Sequence, residues 1–372
     1  MIVSRAVLTL ACIAFLVAPC AAADDAPAPD LRLVVAITNP TESIPNTTIS
    51  VLDPRSGALR QVYRDESPER QALIKIAGSD LLGAARTTPD GYIYAILGPG
   101  RIELGQACPD TLARLQVDGE GASTWETVLP IPLCFSDASP YGLWNRAPIF
   151  AVSPDGQHFA IPALRVGEEK LDPPAIRLLS SSETSEHRIP IPKSMYVVDL
   201  AWSLDGDRLL YSLMPQGDVH TLEESSTLKA GIYLGAFGSE ASALLAACYP
   251  GPVAWGPQRN RVAVSIRTQD VFGRPEIVRV LTIPEGKSIE EFSVTGWVQA
   301  MAYSHDGKWL AIQAQSGNTQ SIWLYATAGG WGRLIHEHPT SSGRLALLGW
   351  LRLEEGGVTA AANAPDLSST EP

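Results

Sequence analysis

Apolar and polar residues alternate along most of the chain in short runs, and the period is that of strands. Leu31–Val35, Tyr92–Ala95, Leu209–Tyr211, Gly231–Leu234, Ile277–Val280, Trp309–Ala311 and Ile322–Tyr325 are apolar stretches bounded by Gly, Pro, Asp and Ser. Past the first 23 residues no segment sustains a helical period. The chain therefore reads as all-β.

One phrase recurs, an apolar strand, a tight turn ending in Asp-Gly and a second apolar strand. The copies are Thr88-Pro89-Asp90-Gly91, Ser153-Pro154-Asp155-Gly156, Ser203-Leu204-Asp205-Gly206 and Ser304-His305-Asp306-Gly307. In a fifth copy Gly256-Pro257-Gln258-Arg259 has lost the Asp-Gly but keeps Trp255, the equivalent of Trp202. Proline presets φ, aspartate bonds back to nearby amides and glycine accepts positive φ, so the phrase is a hairpin connector. About four strands accompany each copy, the content of a propeller blade.

The two ends are complementary. Pro29-Asp30-Leu31 opens in the middle of the phrase, and Leu345–Trp350 closes in the middle of it. A C-terminal strand that becomes the innermost strand of the N-terminal blade would leave no sheet edge at the seam. Counting Asp30, Asp90, Asp155, Asp205, Gln258 and Asp306 gives six blades, with the propeller spanning residues 31–353.

The Ser-Pro-Asp-Gly phrase followed by an apolar strand resembles the repeat of TolB-like propellers of the bacterial envelope and of the propellers of prolyl-oligopeptidase-type peptidases. The resemblance covers the whole chain after the leader at the level of blade pattern. It implies a WD-repeat-like six-bladed ring, a periplasmic location and protein binding. TolB-like proteins carry an α/β domain ahead of the propeller, whereas residues 24–30 form only a short segment here. The peptidases carry a hydrolase domain, and the sequence has no Gly-x-Ser-x-Gly elbow.

Residues 1–23 read as a signal peptide, with Arg5, an apolar run from Ala6 to Val17, and Ala21 and Ala23 before the cleavage point. Acylation at Cys20 is the alternative, which Pro19 fits poorly. No later run reaches the length of a transmembrane helix. Residues 354–372 are small, polar and acidic, the composition of a disordered tail. With 28 Lys+Arg against 40 Asp+Glu, the net charge of −12 disfavours nucleic acid and anionic lipid.

Cys108, Cys134 and Cys248 lie beyond the leader. Residues 112–117 and 125–129 read as a hairpin around Asp118-Gly119-Glu120-Gly121, and extending its register brings Cys108 near Cys134. A disulfide there would contribute about 3 kcal/mol, with two free thiols as the alternative. Cys248, beside Leu245 and Ala246, reads as a small core residue.

Candidate binding residues fall in long loops assigned to one face, residues 64–80, 97–111, 135–146, 165–174, 214–230 and 267–275. Tyr141, Trp144, Arg146, Glu223, Glu224 and Phe272 combine aromatic rings with charge there. Tyr141 and Trp144 could equally form a satellite core under their loop. His336 and His338 would share one side of a strand, but two ligands do not complete a metal site, so no metal and no cofactor is assigned. His305 holds the turn position taken by proline in other copies. No nucleophile and base can be paired, and no catalytic residue is assigned. The expected function is recognition of an envelope protein or peptide through the loop-rich face or the central channel. The runner-up is a propeller hydrolase or lyase acting on an extracellular sugar or lactone, which would need several titratable groups converging on the axis.

Overall fold

A computed structural model describes residues 27–28, 30–39, 46–64, 85–88, 91–97, 110–117, 125–131, 149–163, 175–182, 186–192, 195–215, 229–237, 239, 241–258, 260–267, 276–328 and 331–353. The first three strands are β1 (Leu31–Asn39), β2 (Asn46–Leu52) and β3 (Leu59–Arg64). Then come β4 (Ala85–Thr87), β5 (Tyr92–Leu97), β6 (Asp110–Gln116) and β7 (Glu126–Ile131), followed by β8 (Ala151–Val152), β9 (His158–Ala163), β10 (Ala175–Ser180) and β11 (His187–Pro190). The fourth group is β12 (Met195–Trp202), β13 (Arg208–Pro215), β14 (Gly231–Ala236) and β15 (Ser242–Ala247). The fifth is β16 (Pro250–Trp255), β17 (Arg261–Ile266), β18 (Glu276–Thr282) and β19 (Ser288–Val294). The last strands are β20 (Trp297–Tyr303), β21 (Trp309–Ser316), β22 (Thr319–Ala326), β23 (Gly332–Pro339) and β24 (Arg344–Arg352).

These strands form six antiparallel four-stranded sheets. Five are consecutive meanders, and the sixth has the order β24-β1-β2-β3, so the C-terminal strand is the innermost of the first blade. Leu31 faces Arg352 and Thr38 faces Arg344 across this seam, and Asp30 and Arg352 form an ion pair at 2.9 Å. The expected six-bladed ring with C-terminal closure is what the chain forms.

The apolar residues pack in six clusters, each shared by two neighbouring blades. Leu33, Val35 and Trp350 of blade 1 pack against Trp309, Ile322 and Leu324 of blade 6, and Tyr94 and Leu112 of blade 2 against Phe159 and Ile161 of blade 3. Each sheet therefore buries both faces, which is why inner and middle strands such as β16 and β21 read as near-continuous apolar runs.

The recurring turn is built as its chemistry predicts. Ser153, Ser203 and Ser304 each donate from Oγ to the aspartate two residues on and accept the backbone N–H five residues on, from His158, Arg208 and Trp309. Gly156, Gly206 and Gly307 follow at φ between 68° and 74°. In the degraded copy only backbone bonds remain, with Gly256 N–H donating to Arg261 O at 2.9 Å.

Around the closure strand, blade 6 supplies a latch of glutamines. Leu345 N–H donates to Gln320 Oε1 at 2.8 Å, and Leu347 N–H to Gln313 Oε1 at 2.7 Å. Gln313 Nε2 donates in turn to Leu345 O at 2.7 Å. Gln299, at a bulge of β20, accepts from both amides, and its own amide donates to Gln315. Gln313 and Gln320 are each only 3% exposed, so these bonds are made away from water.

Replacing Gln313 by alanine strands the Leu347 N–H and leaves Leu345 O only a long bond from Gln320, and should cost roughly 1–3 kcal/mol. Urea unfolding followed by tryptophan fluorescence checks this, with Gln315→Ala, at the half-buried end of β21 and with no bond to β24, expected to change less.

Candidate functional site

The innermost strands run side by side toward the Asp-Gly turns, and each of β12, β16, β20 and β24 carries a bulge or register shift in its ladder. All six blades contribute to a cavity of about 350 Å³ on the ring axis. Its wall is formed by Ala151, Val253, Ala300, Met301, Leu347 and Leu348, and it opens at the turn tips. The residue between Ser or Gly and the next turn position points to this mouth in four blades, as Pro154, Leu204, Pro257 and His305. Leu204 is 48% exposed there, the most exposed large apolar side chain among the described residues. The mouth is therefore an apolar rim with one imidazole.

Aromatic residues close the wall where inner strands end. Trp202, Trp255, Tyr303 and Trp350 each precede or occupy the turn and line the cavity. Trp350 Nε1 donates to Ala302 O at 3.0 Å and Trp202 Nε1 to Ala151 O at 3.2 Å, so each indole ties its blade to the preceding one. Trp255 departs from the pattern. Arg208 lies 5.1 Å from its ring centre, and its buried Nε1 has no acceptor. Burial raises the Tyr303 phenol far above its ordinary value, helped by Glu290 and opposed by Arg261. Gly349 is required: its φ is +141°, and a Cβ would lie 2.1 Å from Thr87 Oγ1 of the next blade.

Two titratable groups line the described channel apart from Tyr303. Asp199 Oδ2 accepts Val253 N–H at 3.0 Å across the blade 4–5 seam. His305 stands two blades away, its pKa lowered by burial and by Arg352, against the opposing pull of Asp306 and Asp30. Among the described residues no three His, Cys, Asp or Glu side chains gather at one point.

A second polar cluster sits near the other end of the inner strands. Ser265 Oγ donates to the buried Glu276 at 2.5 Å, and Arg267 Nε lies 3.4 Å from that carboxylate. Burial raises the Glu276 pKa against the lowering effects of Ser265, Arg267 and Val298 N–H. Arg267 also covers the ring of Trp297, 41% exposed, at 4.7 Å. Sequence reasoning missed this cluster, because Arg267 and Glu276 flank a loop and nothing in their spacing announces that they meet.

Of the residues singled out from sequence, Tyr141, Trp144, Arg146, Glu223, Glu224, Phe272, Cys108 and Cys134 lie outside the described residues. The β6–β7 ladder runs from Asp110 opposite Ile131 to Arg114 opposite Glu126, with a register shift between Leu112 and Ala113. Cys248 is half-buried rather than fully enclosed, against Leu245 and Ala246 at a cluster's edge, and burial pushes its thiol up to about 11. The cavity is rimmed by the Asp-Gly turns and lies on the channel, one of the two binding places expected from sequence, while the long loops lie almost wholly outside the described residues. What sequence could have offered was the turn position itself, which alternates Pro, Leu, Pro and His.

No protein-family model and no curated protein matches the chain in sequence. Among solved structures it is similar to TolB from Acinetobacter baumannii, with a TM-score of 0.57 at 14% identity over 87% of this chain and 67% of that one. It is also similar to a candidate TolB from Agrobacterium tumefaciens, at 0.51 and 16% identity over 86% and 93% of the two chains. A candidate 6-phosphogluconolactonase from Bacteroides uniformis aligns at 0.49 and 11% identity over 84% and 98%. The chain has a TolB-like six-bladed propeller fold, and among its described residues no helix is long and apolar enough to cross a membrane.

Two measurements test this reading of the channel wall. Trp202→Phe and Trp350→Phe each remove an inter-blade hydrogen bond and should cost about 1 kcal/mol, whereas Trp255→Phe removes an orphan donor and should cost less. Because the folded-state pKa of His305 lies below the ordinary 6.5, the unfolded chain takes up protons first on acidification. Stability should fall as pH drops through that value and level off below the folded pKa. Chemical denaturation between pH 7.5 and 5 should show a smaller loss for His305→Asn than for the wild type.

Proposed function

We propose that the protein is an exported module of the bacterial envelope that binds an extended segment of a protein partner. The observation that carries this reading is the axial cavity, lined by all six blades with mixed apolar and polar groups and rimmed by Pro154, Leu204, Pro257 and His305. A concave site with apolar walls and a few placed polar groups is the common form of a binding site. Asp199 already accepts a backbone N–H, and His305 stands on a different blade, so the described lining offers anchors rather than an acid and base sharing a substrate. The net charge of −12 favours a basic segment at long range.

Export rests on the leader-like residues 1–23, and cleavage after Ala23 would leave the propeller in the periplasm. Tyr141, Trp144, Arg146, Glu223, Glu224 and Phe272 are the residues through which a partner on the loop-rich face would be held. Cys108 and Cys134 would pair in that compartment.

The test is capture from crosslinked envelope extract with three baits, the wild type, Leu204→Glu, and Trp144→Ala combined with Phe272→Ala. One protein recovered by the wild type and lost with Leu204→Glu is the expected result. Loss only with the double variant would move the partner to the loop-rich face. Equal recovery by all three would overturn both placements.

A further inference from the structure

We propose that His336 and His338, on the outermost strand of blade 6, form a binding site for one transition-metal dication of the Cu²⁺ or Zn²⁺ class. Both residues lie on β23, where His336 faces Ile322 and His338 faces Gln320. Ile322 belongs to the cluster between blades 6 and 1, and Gln320 bonds to the backbone of β24, so this side of the sheet faces blade 1. Cross-strand partners stand on the same face, which places both imidazoles at the outer edge of the blade 6–blade 1 seam. Glu337, opposite Ser321, stands on the other face.

The two rings are stacked, with planes 23° apart and centroids 6.4 Å apart. Each Nε2 is shielded from solvent and has no hydrogen-bond partner. An imidazole nitrogen enclosed without a partner is costly, and here two of them occur side by side on one strand. Nothing in the packing needs histidine at either position, because β23 is an exposed outer strand whose neighbouring apolar contact is made by Ile335 at the bulge. A shared ligand satisfies both nitrogens at once.

The chemistry selects a cation over an anion. Each enclosed Nε2 lacks a hydrogen-bond partner, and an imidazole nitrogen so placed has a lone pair to offer a metal ion. Neutral imidazole suits Cu²⁺, Zn²⁺ and Ni²⁺, and does not suit Mg²⁺ or Ca²⁺. Alternate strand residues are about 6.6 Å apart, and bonds of roughly 2.0–2.1 Å to one ion require only that the half-exposed rings rotate toward each other. Water completes the coordination. The site is independent of the channel and of the binding function proposed for it.

The test titrates CuCl₂ and ZnCl₂ into the purified, untagged protein by calorimetry. His336→Gln, His338→Gln and, as a control for the Cys248 thiol, Cys248→Ser are compared, with folding checked by circular dichroism. The expected result is one ion per chain, tighter for copper, weakened at least tenfold by either histidine substitution and unchanged by Cys248→Ser. The copper complex should show electron paramagnetic hyperfine structure from two imidazole nitrogens, and MgCl₂ should give no heat. Absence of binding, binding unaffected by the substitutions, or dependence on one histidine alone would overturn the proposal.

Discussion

The structure depends on one pairing, β1 with β24. Every blade buries both faces against its neighbours, so no blade has a stable end and the ring must close. Closure joins segments more than three hundred residues apart, and the entropy of bringing them together is recovered only when both seams of blade 1 are filled. Asp30–Arg352 sets the outer end of this pairing, and the Gln313 and Gln320 amides hold the opposite end from blade 6. The latch is polar and buried. That combination specifies the register of β24 better than further apolar contact would, since unmatched amides are costly at any other alignment.

From that closure follows the channel. With six inner strands converging on an axis, the turn chemistry that makes each hairpin also sets what the mouth presents. Serine and aspartate are consumed in holding the turn, and glycine in its positive φ, leaving one free position per copy. Evolution of a binding rim in such a fold is confined largely to that position, and here it carries proline, leucine or histidine. The wall above it is restricted in another way. Indole donors spent on the preceding blade's carbonyls, as at Trp202 and Trp350, leave few polar groups facing the cavity.

Departures from the repeat mark where the ring is not uniform. The fifth copy lacks Ser and Asp-Gly, and the buried Nε1 of its Trp255, like that of Trp125 in blade 2, has no acceptor. At the same blade's other end, Ser265, Glu276 and Arg267 form a buried polar cluster under Trp297. Blade 5 thus differs from its neighbours at both ends, while its strands keep the common ladder.

The sequence by itself determined the strand content, the hairpin connectors, the blade number and the closure, because these rest on local turn chemistry and on two ends that each lack what the other supplies. It determined the likeness to TolB-like propellers for the same reason, as the repeated phrase is a property of the fold. Only the tertiary structure decided which residues meet. Asp199 and Val253, Glu276 and Arg267, or Gln313 and Leu345 come together through packing between strands, and no spacing in the chain encodes those contacts. The histidine pair shows the division most clearly. Its period of two was legible, but that both nitrogens turn into a seam without a partner depends on which side of β23 faces blade 1.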